Sequence, residues 1–201
     1  MTLDEKRDLI LAHEQAFARR MANKVVGNPS IHVWMILIPV IFVFHFFKLN
    51  QAKEGRKQFA EGYMQSRRHT LDAVWERMRA GDDPLTDNDV DPALVETLCA
   101  GSATPKPAMD QYRAFIRLLA EHYADLLRAS GESAEELIRS VYRNRSNYLL
   151  FLRQMGAVEH TFNEALRPHL PEELDETDDL LQFIERTAKE LRKEQAESIF
   201  A

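Results

Sequence analysis

The chain has 201 residues, 45% of them hydrophobic and 29% charged, with a net charge of −6. This length suits one or two modest domains, and the composition argues against long disorder. A single cysteine, Cys99, excludes an intramolecular disulfide and a cysteine-rich zinc site.

The net charge hides a split. Residues 1–81 hold 13 Lys/Arg and 8 Asp/Glu, whereas residues 82–201 hold 13 Lys/Arg and 24 Asp/Glu. Basic flanks gain from anionic headgroups, and an acidic domain is repelled by them and by nucleic acid. The expected partners are therefore a lipid bilayer and a protein partner or a second copy of the chain, with no nucleic acid.

Leu3, Ile10, Phe17, Met21 and Val25 repeat at helical spacing and predict an amphipathic N-terminal helix within residues 1–30. Such a helix suits either the membrane interface or a partner helix. Gly27-Asn28-Pro29-Ser30 breaks it.

From Ile31 to Phe47 the chain reads IHVWMILIPVIFVFHFF, with no formally charged residue. Residues 31–49 are the expected membrane segment, marked by Ile31, His32, Trp34, Pro39, His45, Phe46 and Phe47. As a helix, the run spans roughly 25 Å, at the short end for a hydrocarbon core of about 30 Å. Trp34 suits an interface, and the run is longer than most buried core elements. Pro39 at its centre kinks a helix, so the expectation is one kinked crossing, with a re-entrant hairpin bending at Pro39 as the alternative. The basic membrane flank comprises Arg19, Arg20 and Lys24 before the run and Lys48, Lys53, Arg56 and Lys57 after it. More positive charge follows than precedes, which predicts a cytoplasmic C-terminal domain.

Residues 50–100 carry a long basic helix with Phe59, Tyr63, Leu71, Val74, Trp75 and Met78 at threes and fours, then an acidic loop. Asp91-Pro92 has the pattern of an N-cap followed by Pro at the first helical position. Gly101–Pro107 is the expected linker before an acidic C-terminal bundle over 108–201.

That bundle begins with the stripe Tyr112, Phe115, Ile116, Leu119, Tyr123, Leu126 and Leu127. Ser133 with Glu136 predicts a capping box, and the helix it starts is expected to run through Leu152 to Gly156. A shorter helix follows up to Pro168, and a last one carries Leu180, Leu181, Ile184, Ala188 and Leu191. No strand pattern appears. The predicted fold is all-α: an amphipathic helix, a membrane-inserted segment, a long basic helix and an antiparallel helical bundle.

No motif carries recognisable catalytic chemistry, so no catalytic residue and no cofactor are expected, and the chain is not read as an enzyme. His122 with Asp125, or His160 with Glu164, shares a helical face, but solvated surface is the simpler reading. Asp87, Asp89 and Asp91 imitate a calcium loop, yet Pro92 and Leu98 stand where glycine and a bidentate glutamate are needed. Arg143 and Arg145 interrupt an apolar stripe. They predict an inward Arg145 held by a carboxylate, or else a docking point for an acidic peptide or phosphate. The functional expectation is a membrane-anchored interaction or assembly protein. The alternative is a haem- or metal-binding subunit of a membrane redox complex, using His32 or His45.

Overall fold

The structure, a computed structural model, describes residues 1–26, 52–86, 89–100, 102, 104–169 and 177–201. The expected membrane segment, residues 31–49, lies outside the described residues. Among the described residues no helix is long and apolar enough to cross a membrane.

The described residues are almost entirely helical. They form α1 (Leu3–Val26), α2 (Ala52–Ala80), α3 (Pro92–Ala100), α4 (Met109–Arg128), α5 (Ala134–Tyr142), α6 (Arg145–Leu166) and α7 (Thr177–Ile199). Short 3₁₀ turns precede α4 and follow α6, at Lys106–Ala108 and Arg167–His169. The acidic loop adds a ladder of two residues per strand, β1 (Leu85–Thr86) against β2 (Asp89–Val90), with Leu85 opposite Val90.

The local signals explain most helix ends. Asp91 caps α3, its carboxylate accepting from the Ala93 N–H at 2.9 Å, while Pro92 has no N–H that needs an acceptor. Ser133 Oγ accepts from the Glu136 N–H at 3.2 Å. The reciprocal half of this capping box is displaced by one residue, because Glu136 accepts from the N–H of Glu132 rather than from that of Ser133.

The expected helix through Leu152 to Gly156 is two helices. Arg143 has φ +65°, and the Asn144 N–H reaches back to the Tyr142 carbonyl at 2.7 Å, which closes a γ-turn. Asn144 then caps α6 through the Asn147 N–H, at 2.9 Å. With that turn made, α6 runs straight through Gly156, which therefore ends nothing. Arg145 does not face inward: it opens α6 on the surface and pairs with Glu197 at 2.6 Å.

α1 and α2 form an antiparallel hairpin. Asp4 meets Trp75, Arg7 meets Asp72, Glu14 meets Arg67 and Phe17 meets Tyr63 in opposite chain order. Val26 and Gly55 touch at the far end. The amphipathic face of α1 is thus spent on protein, burying Ile10, Phe17, Met21 and Val25 against α2 and α7. α4 packs on α2 and α6, α7 runs between α1 and α6, and α3 covers α4. Leu94, Val95 and Leu98 of α3 share one apolar cluster with Leu71, Phe115, Leu119 and Phe162.

A second, smaller cluster lies toward the Val26–Gly55 end. It joins Phe17, Met21, Val25 and Phe59 to Ala188 and Leu191 of α7. Between the two clusters runs a layer of charge.

Candidate functional site

Four charged side chains occupy positions where helical spacing calls for apolar ones. Glu14 falls between Ile10 and Phe17 on α1. Arg67 falls between Tyr63 and Leu71 on α2. Glu159 falls between Met155 and Phe162 on α6, and Arg192 follows Ala188 by four on α7. Each helix therefore turns one charge inward at the same level of the bundle.

These charges satisfy one another. Arg192 grips Glu159 with two nitrogens, at 2.7 and 2.8 Å, and Arg67 donates to the same carboxylate at 2.7 Å. Arg67 also faces Glu14 at 3.4 Å and lies 3.8 Å from the centre of the Tyr63 ring. The Tyr123 hydroxyl donates to Glu14 at 3.1 Å. The layer is neutral: two guanidiniums meet two carboxylates. Desolvation pushes the Glu159 carboxyl upward, but Arg192 and then Arg67 outweigh it and hold it down, to about 2.

Two histidines border this layer. The Gln195 amide nitrogen lies 2.6 Å from His13 Nε2, and His13 Nδ1 lies 3.8 Å from Glu135. His122 stacks on Phe151 at 4.4 Å, and the Tyr142 hydroxyl lies 2.7 Å from its Nδ1. Burial, followed by the charges of His13 and Arg67, pulls the His122 imidazole down to about 3, so it is neutral.

The cavity these groups enclose measures about 40 Å³. That holds a water or two and is far below the ~300–1,000 Å³ of ligand pockets. Both guanidiniums are already engaged. The layer fixes which helix faces which, because any rotation leaves a charge buried without its partner.

A different opening lies on the outside of the same layer. Between α6 and α7 runs a groove of about 810 Å³. Leu149, Leu152, Gly156 and Ala188 give it an apolar floor, and the Glu159–Arg192 pair forms part of its wall. Arg153, Arg186, Lys189 and Lys193 stand around it, and none has an ion-pair partner among the described residues. Of its three carboxylates, Glu159 is held by the two arginines. Glu185 is held by His160 at 3.0 Å and by Asn163 at 2.9 Å. Among the described residues, that leaves Glu190 alone against these four cations.

The residues singled out by sequence are scattered. His122 meets Tyr142 rather than Asp125, and His160 meets Glu185 rather than Glu164. Among the described residues no group of three or more His, Cys, Asp or Glu could hold a metal ion. Asp91 is committed to Arg77 and to its cap; Asp87 lies outside the described residues. Cys99 is buried, and burial pushes its thiol up, away from the reactive thiolate. Arg143 is exposed at the γ-turn and does not line the groove. Arg19, Arg20, Lys24, Arg56 and Lys57 cluster at the Val26–Gly55 end, where Arg20 and Lys24 share Glu194 at 2.6 and 3.2 Å. His32 and His45 lie outside the described residues.

No protein-family model matches this chain, and neither a curated protein nor a solved structure does.

Proposed function

We propose that this chain is a membrane-attached assembly protein whose helical bundle stands on one face of a bilayer, held by an apolar dip over residues 31–47. The observation that carries the reading is the α1–α2 hairpin. It brings the described residues that flank the apolar stretch on either side to the same end of the bundle, with Val26 against Gly55.

A single crossing would put α1 and α2 on opposite sides of the membrane. Their shared face, from Asp4–Trp75 to Phe17–Tyr63, could not then form. Two crossings need about 40 residues, and 25 separate Val26 from Ala52. A dip that turns near Pro39 meets both conditions, with its turn shielded by neighbouring protein. It also gathers all seven flanking cations, Arg19, Arg20, Lys24, Lys48, Lys53, Arg56 and Lys57, on one side. By the positive-inside tendency that side is the cytoplasm.

The test uses single cysteines on a Cys99→Ala background, at Asp8 in α1 and Glu61 in α2. Both are exposed, at 73% and 64% of the side chain. Sealed cells are treated with an impermeant thiol reagent before and after lysis. Both sites are expected to stay unlabelled until lysis. Labelling of one site but not the other in intact cells restores the single crossing. Recovery of the whole chain in the soluble fraction without detergent overturns membrane attachment.

A further inference from the structure

We infer that the α6–α7 groove is the docking site for an acidic amphipathic helix of a partner protein. The inference rests on the assembly reading of the chain but not on its insertion in a membrane.

The groove has the shape and lining that such a helix needs. Its lining runs from Gln182 to Lys193 on α7 and from Leu149 to Glu159 on α6, roughly 16 Å of axis, or three turns. A helix three turns long presents apolar residues at i, i+3/i+4 and i+7 to such a floor. Gly156 leaves the floor open where any other residue would place a side chain: a Cβ there would meet only the Arg192 guanidinium, at 3.7 Å.

The charge pattern selects the occupant. Residues 82–201 carry an excess of 11 negative charges, yet this groove offers four cations with no carboxylate partner among the described residues. Arg186, Lys189 and Lys193 recur at i, i+3 and i+7 and so line one rim over roughly 10 Å, with Arg153 on the opposite helix. A lipid concentrates its charge at one end of an apolar chain. Cations spread along the whole groove match carboxylates spread along a helix. Favourable pairing across the rim steers encounter and fixes register.

The experiment uses the full-length chain in nanodiscs of neutral lipid. The probe is a fluorescent 15-residue peptide, blocked at both ends, with leucines at every third or fourth position and glutamates between them. A matched peptide with lysine for every glutamate, and vesicles of phosphatidylglycerol, are the other arms. Saturable binding of the acidic probe is expected. It should weaken about tenfold or more in Arg153→Glu/Lys189→Glu/Lys193→Glu, and in Gly156→Met, which fills the floor. The control Lys106→Glu, outside the groove lining, should bind as the parent does. Unchanged melting temperatures verify that the variants fold. No saturable binding of the acidic probe, equal binding of the lysine peptide, or indifference to the rim reversals overturns the proposal. So does binding that phosphatidylglycerol vesicles alone reproduce and the same reversals abolish. Because the thiol labelling above reads only topology, membrane attachment can fail while the groove stands, and the reverse.

Discussion

Replacing Glu159 by Gln tests the buried charge layer at its centre. The carboxylate receives Arg192 at 2.7 and 2.8 Å and Arg67 at 2.7 Å. An amide keeps one acceptor but no charge. Arg192 is then left without a carboxylate, and Arg67 keeps only Glu14, at 3.4 Å. Breaking a buried pair by removing one partner costs about 3–5 kcal/mol. The Glu159 side chain retains 21% exposure, which places the expectation at the lower end, about 3 kcal/mol. The depressed carboxyl points the same way, since a carboxylate favoured in the fold over the unfolded chain stabilises the fold at neutral pH. For a chain of this size a loss of about 3 kcal/mol lowers the melting temperature by about 6–12 °C. The sign of the pH dependence follows from the depressed value. The stabilisation is complete above about pH 4.5 and is lost as pH falls toward about 2, a slope that the Gln variant lacks. Denaturant unfolding followed by circular dichroism, at pH 7 and down to pH 3, measures both. A loss below about 1 kcal/mol, the size expected for the half-exposed Glu164→Gln, would show that the layer is not a coupled unit.

His122 is held neutral in the fold, down at about 3 against an ordinary 6.5, so stability should fall as pH drops from about 6.5 toward 3. His122→Phe keeps the stack on Phe151 and should flatten that part of the pH–stability curve. Gly131→Ala should destabilise by about 1–3 kcal/mol, since its Cβ would lie 2.8 Å from that of Glu136 and 2.9 Å from the backbone nitrogen of Leu137; denaturant midpoints read the loss. Arg143→Gly should raise stability by about 1 kcal/mol, because glycine accepts φ +65° without strain, and a lower melting temperature would refute that account of the γ-turn. Leu137→Ala, at a fully buried position, should cost about 2–5 kcal/mol in the same assay.

The helices were legible because their causes are local. Asp91-Pro92 and Ser133 with Glu136 mark helix starts through bonds to neighbouring backbone, and the apolar stripes of α4 and α7 become buried faces. The break at Arg143–Asn144 was missed because it rests on a single backbone conformation, φ +65°, that arginine rarely adopts and composition does not announce. Glu14, Arg67, Glu159 and Arg192 carried a readable signal, each being a charge at an apolar register. A charge at one such position leaves its partner unnamed, because sequence separations of 92 and 33 join Glu159 to its two arginines.

By itself, then, the sequence determined that this chain is helical, that its charge is divided, and that one uncharged stretch stands apart, since helix propensity, capping and hydropathy act over a few residues. Which faces meet was decided only in three dimensions. The folding-back of α2 onto α1, the apolar cluster shared by α3 and α4 across residues 101–107 and the groove between α6 and α7 depend on contacts between distant segments. Those contacts are selected by packing and by the need to pair every buried charge.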